Sequence, residues 1–81
     1  MKDVMYLLSV NYADGRHFTF EFDIASNGVE ELFYNYYNAR EQQGYQALSL
    51  FIASGKSFVP MLLWTKGGKL VNNIAPVSII E

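Results

Sequence analysis

Apolar residues recur at every second position at the start of this chain. Val4, Tyr6, Leu8, Val10 and Tyr12 share one parity, and Phe18, Phe20, Phe22 and Ile24 answer them after a polar break. A period of two places alternate side chains on opposite faces of a strand, so the pattern predicts strands over 4–12 and 16–24. Register decides the connection, because residues directly opposite across an antiparallel pair share a face. A two-residue loop at Asp14-Gly15 would set Phe18 against Asn11 and mix the faces. A three-residue loop, Ala13-Asp14-Gly15, sets Val10 against Phe18, Leu8 against Phe20 and Tyr6 against Phe22. Its last residue adopts a left-handed conformation, which glycine takes without a side-chain penalty. Pattern and turn chemistry give the same hairpin.

Beyond it the apolar period lengthens to that of a helix. Asn27 is the expected N-cap with Glu30 three residues on, and Gly44 is the expected stop. Val29, Leu32, Phe33, Tyr36 and Arg40 form one stripe centred near Tyr36, with Tyr37 on its border. Tyr34 falls on the opposite side beside Glu30, Asn38 and Glu41. Two further strands are predicted over 45–53 and 57–65. Ala53-Ser54-Gly55 echoes the first loop, and the same three-residue geometry would oppose Leu50 and Phe58. Lys66-Gly67-Gly68-Lys69 reads as another turn before an irregular extended segment over 70–80. Pro60 and Pro76 cannot donate to a ladder, so each belongs at an edge or a bulge.

These elements predict one domain over 1–81 of the α+β class. Its order is ββαββ(β), with one helix packed on a mostly antiparallel sheet of four to five strands. The opening hairpin and helix resemble the start of a β-grasp roll. The likeness is one of topology over roughly half the chain, and topology does not carry a function.

Composition narrows the function classes. Apolar residues make up 51% of the 81 residues and aromatics 16%, which excludes intrinsic disorder. The absence of cysteine excludes a disulfide scaffold, a thiolate metal site and a cysteine nucleophile. The net charge is −2, with three basic and seven acidic groups before residue 45 and three basic and one acidic after it. Lys56, Lys66 and Lys69 stand beside turn glycines and would be dispersed to opposite ends of an antiparallel sheet, which argues against a phosphate-tracking groove. The longest uncharged run, from Gln42 to Gly55, is 14 residues and rich in polar types, short of the roughly 20 apolar residues of a membrane span. The opening residues are too polar for a secretory signal, so the expectation is a soluble, cytoplasmic protein.

No motif assigns a reaction. Gly55-Lys56-Ser57 has the ending of a phosphate loop, but Leu50 stands where that motif needs glycine and Phe58-Val59-Pro60 does not open a helix. His17 is the single histidine and has no candidate partner set for zinc or general-base catalysis. Glu21 and Asp23 share the outer face of the second strand, where nothing would separate their acidities into acid and base roles. The expectation is therefore a protein that is not an enzyme and uses neither metal nor cofactor.

One helix can cover one sheet face. The other parity nevertheless carries Met5, Leu7, Phe51, Val59, Met61 and Leu63. A contiguous exposed apolar patch on a small domain marks a contact surface. Met5, Leu7, Val59, Met61 and Leu63, with Tyr34 and Tyr37 at the rim, are the expected partner-binding residues. The partner would be another protein or a second copy, as in a homodimer. The competing expectation is that Ile74, Val77, Ile79 and Ile80 fold back over this face. A small adaptor or inhibitor of phage or mobile-element type, acting by docking, fits this pattern. The alternative is a weak nucleic-acid or nucleotide binder that uses turn lysines and sheet aromatics. A small enzyme would require a deep pocket joining His17 to a carboxylate.

Overall fold

A computed structural model of the chain describes residues 4–73. The elements run β1 (Val4–Tyr12), β2 (His17–Asp23), α1 (Val29–Asn38), α2 (Arg40–Gln43), β3 (Tyr45–Ser54), β4 (Ser57–Thr65) and β5 (Val71–Asn72). The strands form one antiparallel sheet in the order β2-β1-β3-β4-β5, with the helical segment on one side. This is the α+β arrangement that the pattern predicts. The first hairpin has the expected register, Val10 opposite Phe18, Leu8 opposite Phe20 and Tyr6 opposite Phe22. Gly15 closes it at φ 99°, and the Tyr12 N–H donates to the Arg16 carbonyl at 2.8 Å. The Arg16 backbone N–H donates to the Asp14 carboxylate at 3.0 Å and its Nε donates at 2.8 Å, and these two hydrogen bonds lower the Asp14 pKa. β3 then pairs with β1 on the side away from β2. The helical segment therefore bridges β2 and β3 across β1.

Cross-strand rows build the core. Leu8, Leu50 and Leu62 lie in one row across β1, β3 and β4, and Val10, Leu48 and Trp64 lie in the next. Leu8, Leu50 and Leu62 are 0% exposed, as is Phe33, which α1 lowers onto them beside Val29. Each such side chain stabilises the fold by roughly 1.5–3 kcal/mol through removal from water. Leu32, Tyr34, Tyr36 and Tyr37 pack around this centre, half-buried.

The helix begins later than the capping pattern implies. Gly28 is the N-cap at φ 81° and makes no side-chain capping bond, so Asn27 lies just outside the helix. The chain needs a left-handed residue to leave the turn after β2, and glycine supplies it. α1 breaks at Ala39, and α2 ends at Gly44 with φ 74°. Tyr34 is also placed differently from the expectation. It packs edge-on against Phe33 at 5.6 Å and Tyr37 at 6.3 Å, because Tyr37 and Trp64 wall that flank of the helix.

Two bulges change the parity of the second half. Asn11 faces Ala47 but Tyr12 faces Tyr45, which leaves Gln46 extra and turns Tyr45 into the core at 6% exposure. Leu50 faces Leu62 but Phe51 faces Pro60, which leaves Met61 extra. The β3–β4 turn is the two residues Gly55-Lys56, with Ser54 opposite Ser57, so the expected three-residue loop and its Leu50–Phe58 pair are not formed. A two-residue turn brings Leu62 and Trp64 to the core side only with one residue added to β4. Pro60, which has no N–H to lose, sits at that insertion. Pro76 and the proposed cover by Ile74, Val77, Ile79 and Ile80 lie outside the described residues.

Candidate functional site

The sheet face opposite the helix is organised by the strand registers into three rows. Asp23, Met5, Ala53 and Phe58 form the first, and Glu21, Leu7, Phe51 and Pro60 the second. Thr19, Ser9, Ser49, Leu63 and Val71 form the third. The first two rows are apolar from β1 to β4, whereas the third is polar through Thr19, Ser9 and Ser49 and apolar only at Leu63 and Val71; Phe58 is 59% exposed and Val71 45%. The β2 side is acidic, since Glu21 and Asp23 border Leu7 and Met5. Apolar strand positions bordered by carboxylates suit contact with a surface that is apolar at its centre and basic at one margin.

The structure divides the partner-binding residues expected from sequence. Met5, Leu7 and Leu63 stand together on this open face. Val59 does not; it lies opposite Ile52 on the helix side of the sheet. Met61 does not either; as the bulged residue it packs against the buried cluster. Tyr34 and Tyr37 belong to the helical layer and are half-buried there rather than forming a rim to the open face. Phe58, Pro60 and Val71 take the vacated places. The signal that could have found Phe58 and Pro60 is the proline itself, whose bulge reverses parity between the turn and the core end of β4.

A second feature lies where the helical segment meets the β4–β5 turn. Tyr37, Arg40, Glu41, Tyr45, Trp64, Lys66 and the Gly67-Gly68 backbone line a cleft of about 440 Å³. The Arg40 guanidinium lies 3.9 Å from the Tyr37 ring centroid and 5.6 Å from that of Trp64. Arg40 also donates to the Tyr37 carbonyl at 2.7 Å, which holds the cation over the rings. Tyr45 contributes a buried wall, and burial, followed by the neighbouring Tyr12 and Tyr36, pushes its pKa up to about 12. The cleft thus combines aromatic walls, two cations and one carboxylate. Its two cations can meet an anion, while the Tyr37 ring is already taken up between Arg40 and Phe33.

His17 is elsewhere, exposed near the first hairpin tip and opposite Asn11. Gly55 and Lys56 form a strand-to-strand turn, so Ser57 opens β4 rather than a helix. Among the described residues no group of three His, Cys, Asp or Glu side chains is arranged to hold a metal ion. No helix among them is long and apolar enough to cross a membrane. Comparison with known proteins finds no matching family model, no matching curated protein and no matching solved structure.

Proposed function

We propose that this chain is a small, non-enzymatic protein-interaction module that docks on a protein partner through the open sheet face. One observation carries the reading: Met5, Leu7, Phe51, Phe58, Pro60, Leu63 and Val71 are brought to one side of the sheet, away from the helix. The partner surface is apolar at its centre and basic at the margin that meets Glu21 and Asp23. Affinity comes from desolvating aliphatic and aromatic groups, and orientation comes from the one-sided charge. Such a module acts as an adaptor or an inhibitor by occupying the surface it covers.

Selection of displayed peptides against the full chain, counter-selected with a Leu7→Asp/Leu63→Asp variant, tests this. Peptides with an apolar centre and a Lys- or Arg-rich flank are expected to be enriched. The double variant should bind them at least about tenfold more weakly, equivalent to about 1.4 kcal/mol, with an unchanged circular dichroism spectrum. Equal binding by the variant would refute the proposal. So would enrichment that appears only in an Ile79→Asp/Ile80→Asp chain, because the tail would then be the occupant of the face.

The cleft supports a second reading, in which the chain binds a nucleotide. Arg40 and Lys66 would meet the phosphates. Trp64 is the single tryptophan and lines the cleft, so its emission reports directly on occupancy. Titration with a nucleoside triphosphate at low salt should quench Trp64, with the effect fading as salt rises. Unchanged emission would dispose of this reading.

A further inference from the structure

The two margins of the sheet are built differently. At the β4 margin, Pro60 lacks an N–H, Met61 is bulged and the described part of β5 has two residues. Features of this kind blunt an edge against pairing with another strand. The β2 margin has none of them. Its seven residues, His17–Asp23, contain no proline, glycine or lysine, and the ladder to β1 runs without a break from Asp23 to His17. The helix covers this strand poorly, since Phe18 is 47% exposed and Phe20 is 40% exposed. Phe18 packs edge-on against Tyr12 and Phe20 stacks on Tyr36, each leaving part of its ring exposed, and an unblunted edge with part-exposed aromatic rings is a template for a further strand.

Backbone direction along that edge follows from the hairpin. Tyr12 and Arg16 form a hydrogen-bonded pair at 2.8 Å. Antiparallel ladders alternate hydrogen-bonded and non-hydrogen-bonded pairs, so Phe18, Phe20 and Phe22 turn their N–H and C=O groups toward β1. His17, Thr19, Glu21 and Asp23 turn theirs outward. The Asp23 carbonyl is engaged by the Ser26 N–H at 2.8 Å, and its carboxylate accepts from the Ala25 N–H at 2.9 Å. The other outward groups are aligned for a neighbour.

We infer that the neighbour is the β2 strand of a second copy, paired antiparallel about a two-fold axis at Phe20. This register matches the strand to itself at every position. Phe20 meets Phe20 of the other copy, Phe18 meets Phe22, Thr19 meets Glu21, and His17 meets Asp23. The outward residues become the hydrogen-bonded pairs and the phenylalanines the closer, non-hydrogen-bonded ones. Thr19 can donate its hydroxyl to Glu21, and the His17 imidazole can donate to the Asp23 carboxylate. A register centred on Glu21 would oppose like charges, which is unfavourable. One centred on Thr19 would leave Phe22 unpaired. The favoured register forms a continuous ten-stranded sheet with both helical layers on one side. The apolar open faces then lie side by side on the other, and the seam takes up Thr19, Glu21 and Asp23 at the acidic margin of the docking face while leaving its apolar residues uncovered.

Sedimentation of the full chain from micromolar to millimolar concentration tests the inference. A species of twice the 9.2 kDa chain mass is expected at the upper end. Thr19→Pro removes an outward N–H and leaves the β1 ladder intact, so it should abolish that species. The chain has no cysteine, which allows the register to be tested independently. Phe20→Cys should oxidise to a disulfide-linked dimer, whereas Phe18→Cys should not, because position 18 faces position 22. A single 9.2 kDa species at all concentrations with no linkage at Phe20 would overturn the inference. A dimer that survives Thr19→Pro but is lost in Leu63→Asp would also overturn it, and would assign self-association to the open face.

Discussion

Replacing Phe33 with alanine is expected to lower the unfolding free energy by about 3–5 kcal/mol, the range for deletion of a large buried aromatic. Phe33 is fully buried beneath α1 and is the largest side chain that the helix contributes to the core. Its ring meets Tyr34 edge-on at 5.6 Å and lies parallel to Tyr37 at 6.5 Å. Truncation leaves a cavity over the leucine row and removes the ring against which both tyrosines are oriented. A domain of this size is stable by roughly 4–12 kcal/mol in total, so the variant should be near its unfolding threshold at physiological temperature. Urea titration by far-ultraviolet circular dichroism measures the loss. A change below 1 kcal/mol, on the order of an ordinary surface substitution, would mean that the helix does not anchor the sheet as described.

Met61→Asp should destabilise the fold far more than Leu63→Asp, although the residues are two apart and share the same sequence parity. Met61 is the extra residue of the β4 bulge and packs against the buried cluster. A carboxylate there faces the apolar core and should cost roughly 2–4 kcal/mol. Leu63 stands on the open face between Ser49 and Val71, where a carboxylate reaches water. Its substitution should cost only about 1 kcal/mol, mostly through reduced strand preference, while removing apolar contact area from the docking face. Parallel urea titrations of the two variants check this contrast. Equal destabilisation would mean that the bulge does not separate the two side chains.

The first hairpin was legible because two independent signals agreed. Alternation set the faces of β1 and β2, and Gly15 supplied the only loop length that kept Phe18, Phe20 and Phe22 opposite Val10, Leu8 and Tyr6. The Gly55-Lys56 turn offered no such check. Its glycine is compatible with either loop length, and the decision lay in how Leu62 and Trp64 reach the core. For the same reason parity alone puts Val59 and Met61 on the wrong side of the sheet, whereas Met5, Leu7 and Leu63 lie on the face that parity predicts. Tyr34 was misplaced for a different cause. Helical periodicity gives the angle of a side chain about its own axis, but Trp64 and Tyr37 determine how far the buried zone extends around it.

Local patterning determined which segments become strands and helix, the pairing of β1 with β2, and an excess of apolar residues over what one helix can cover. Each of these depends on neighbours in sequence or on simple counting. Tertiary structure decided the strand order, the two bulges, and therefore which apolar residues share the open face. It also decided that β2 rather than β4 is the unblunted margin. A strand's side-chain parity propagates only as far as its ladder is regular, and a single inserted residue reverses it for everything beyond. Where such an insertion falls depends on the fit of large side chains from several strands at once.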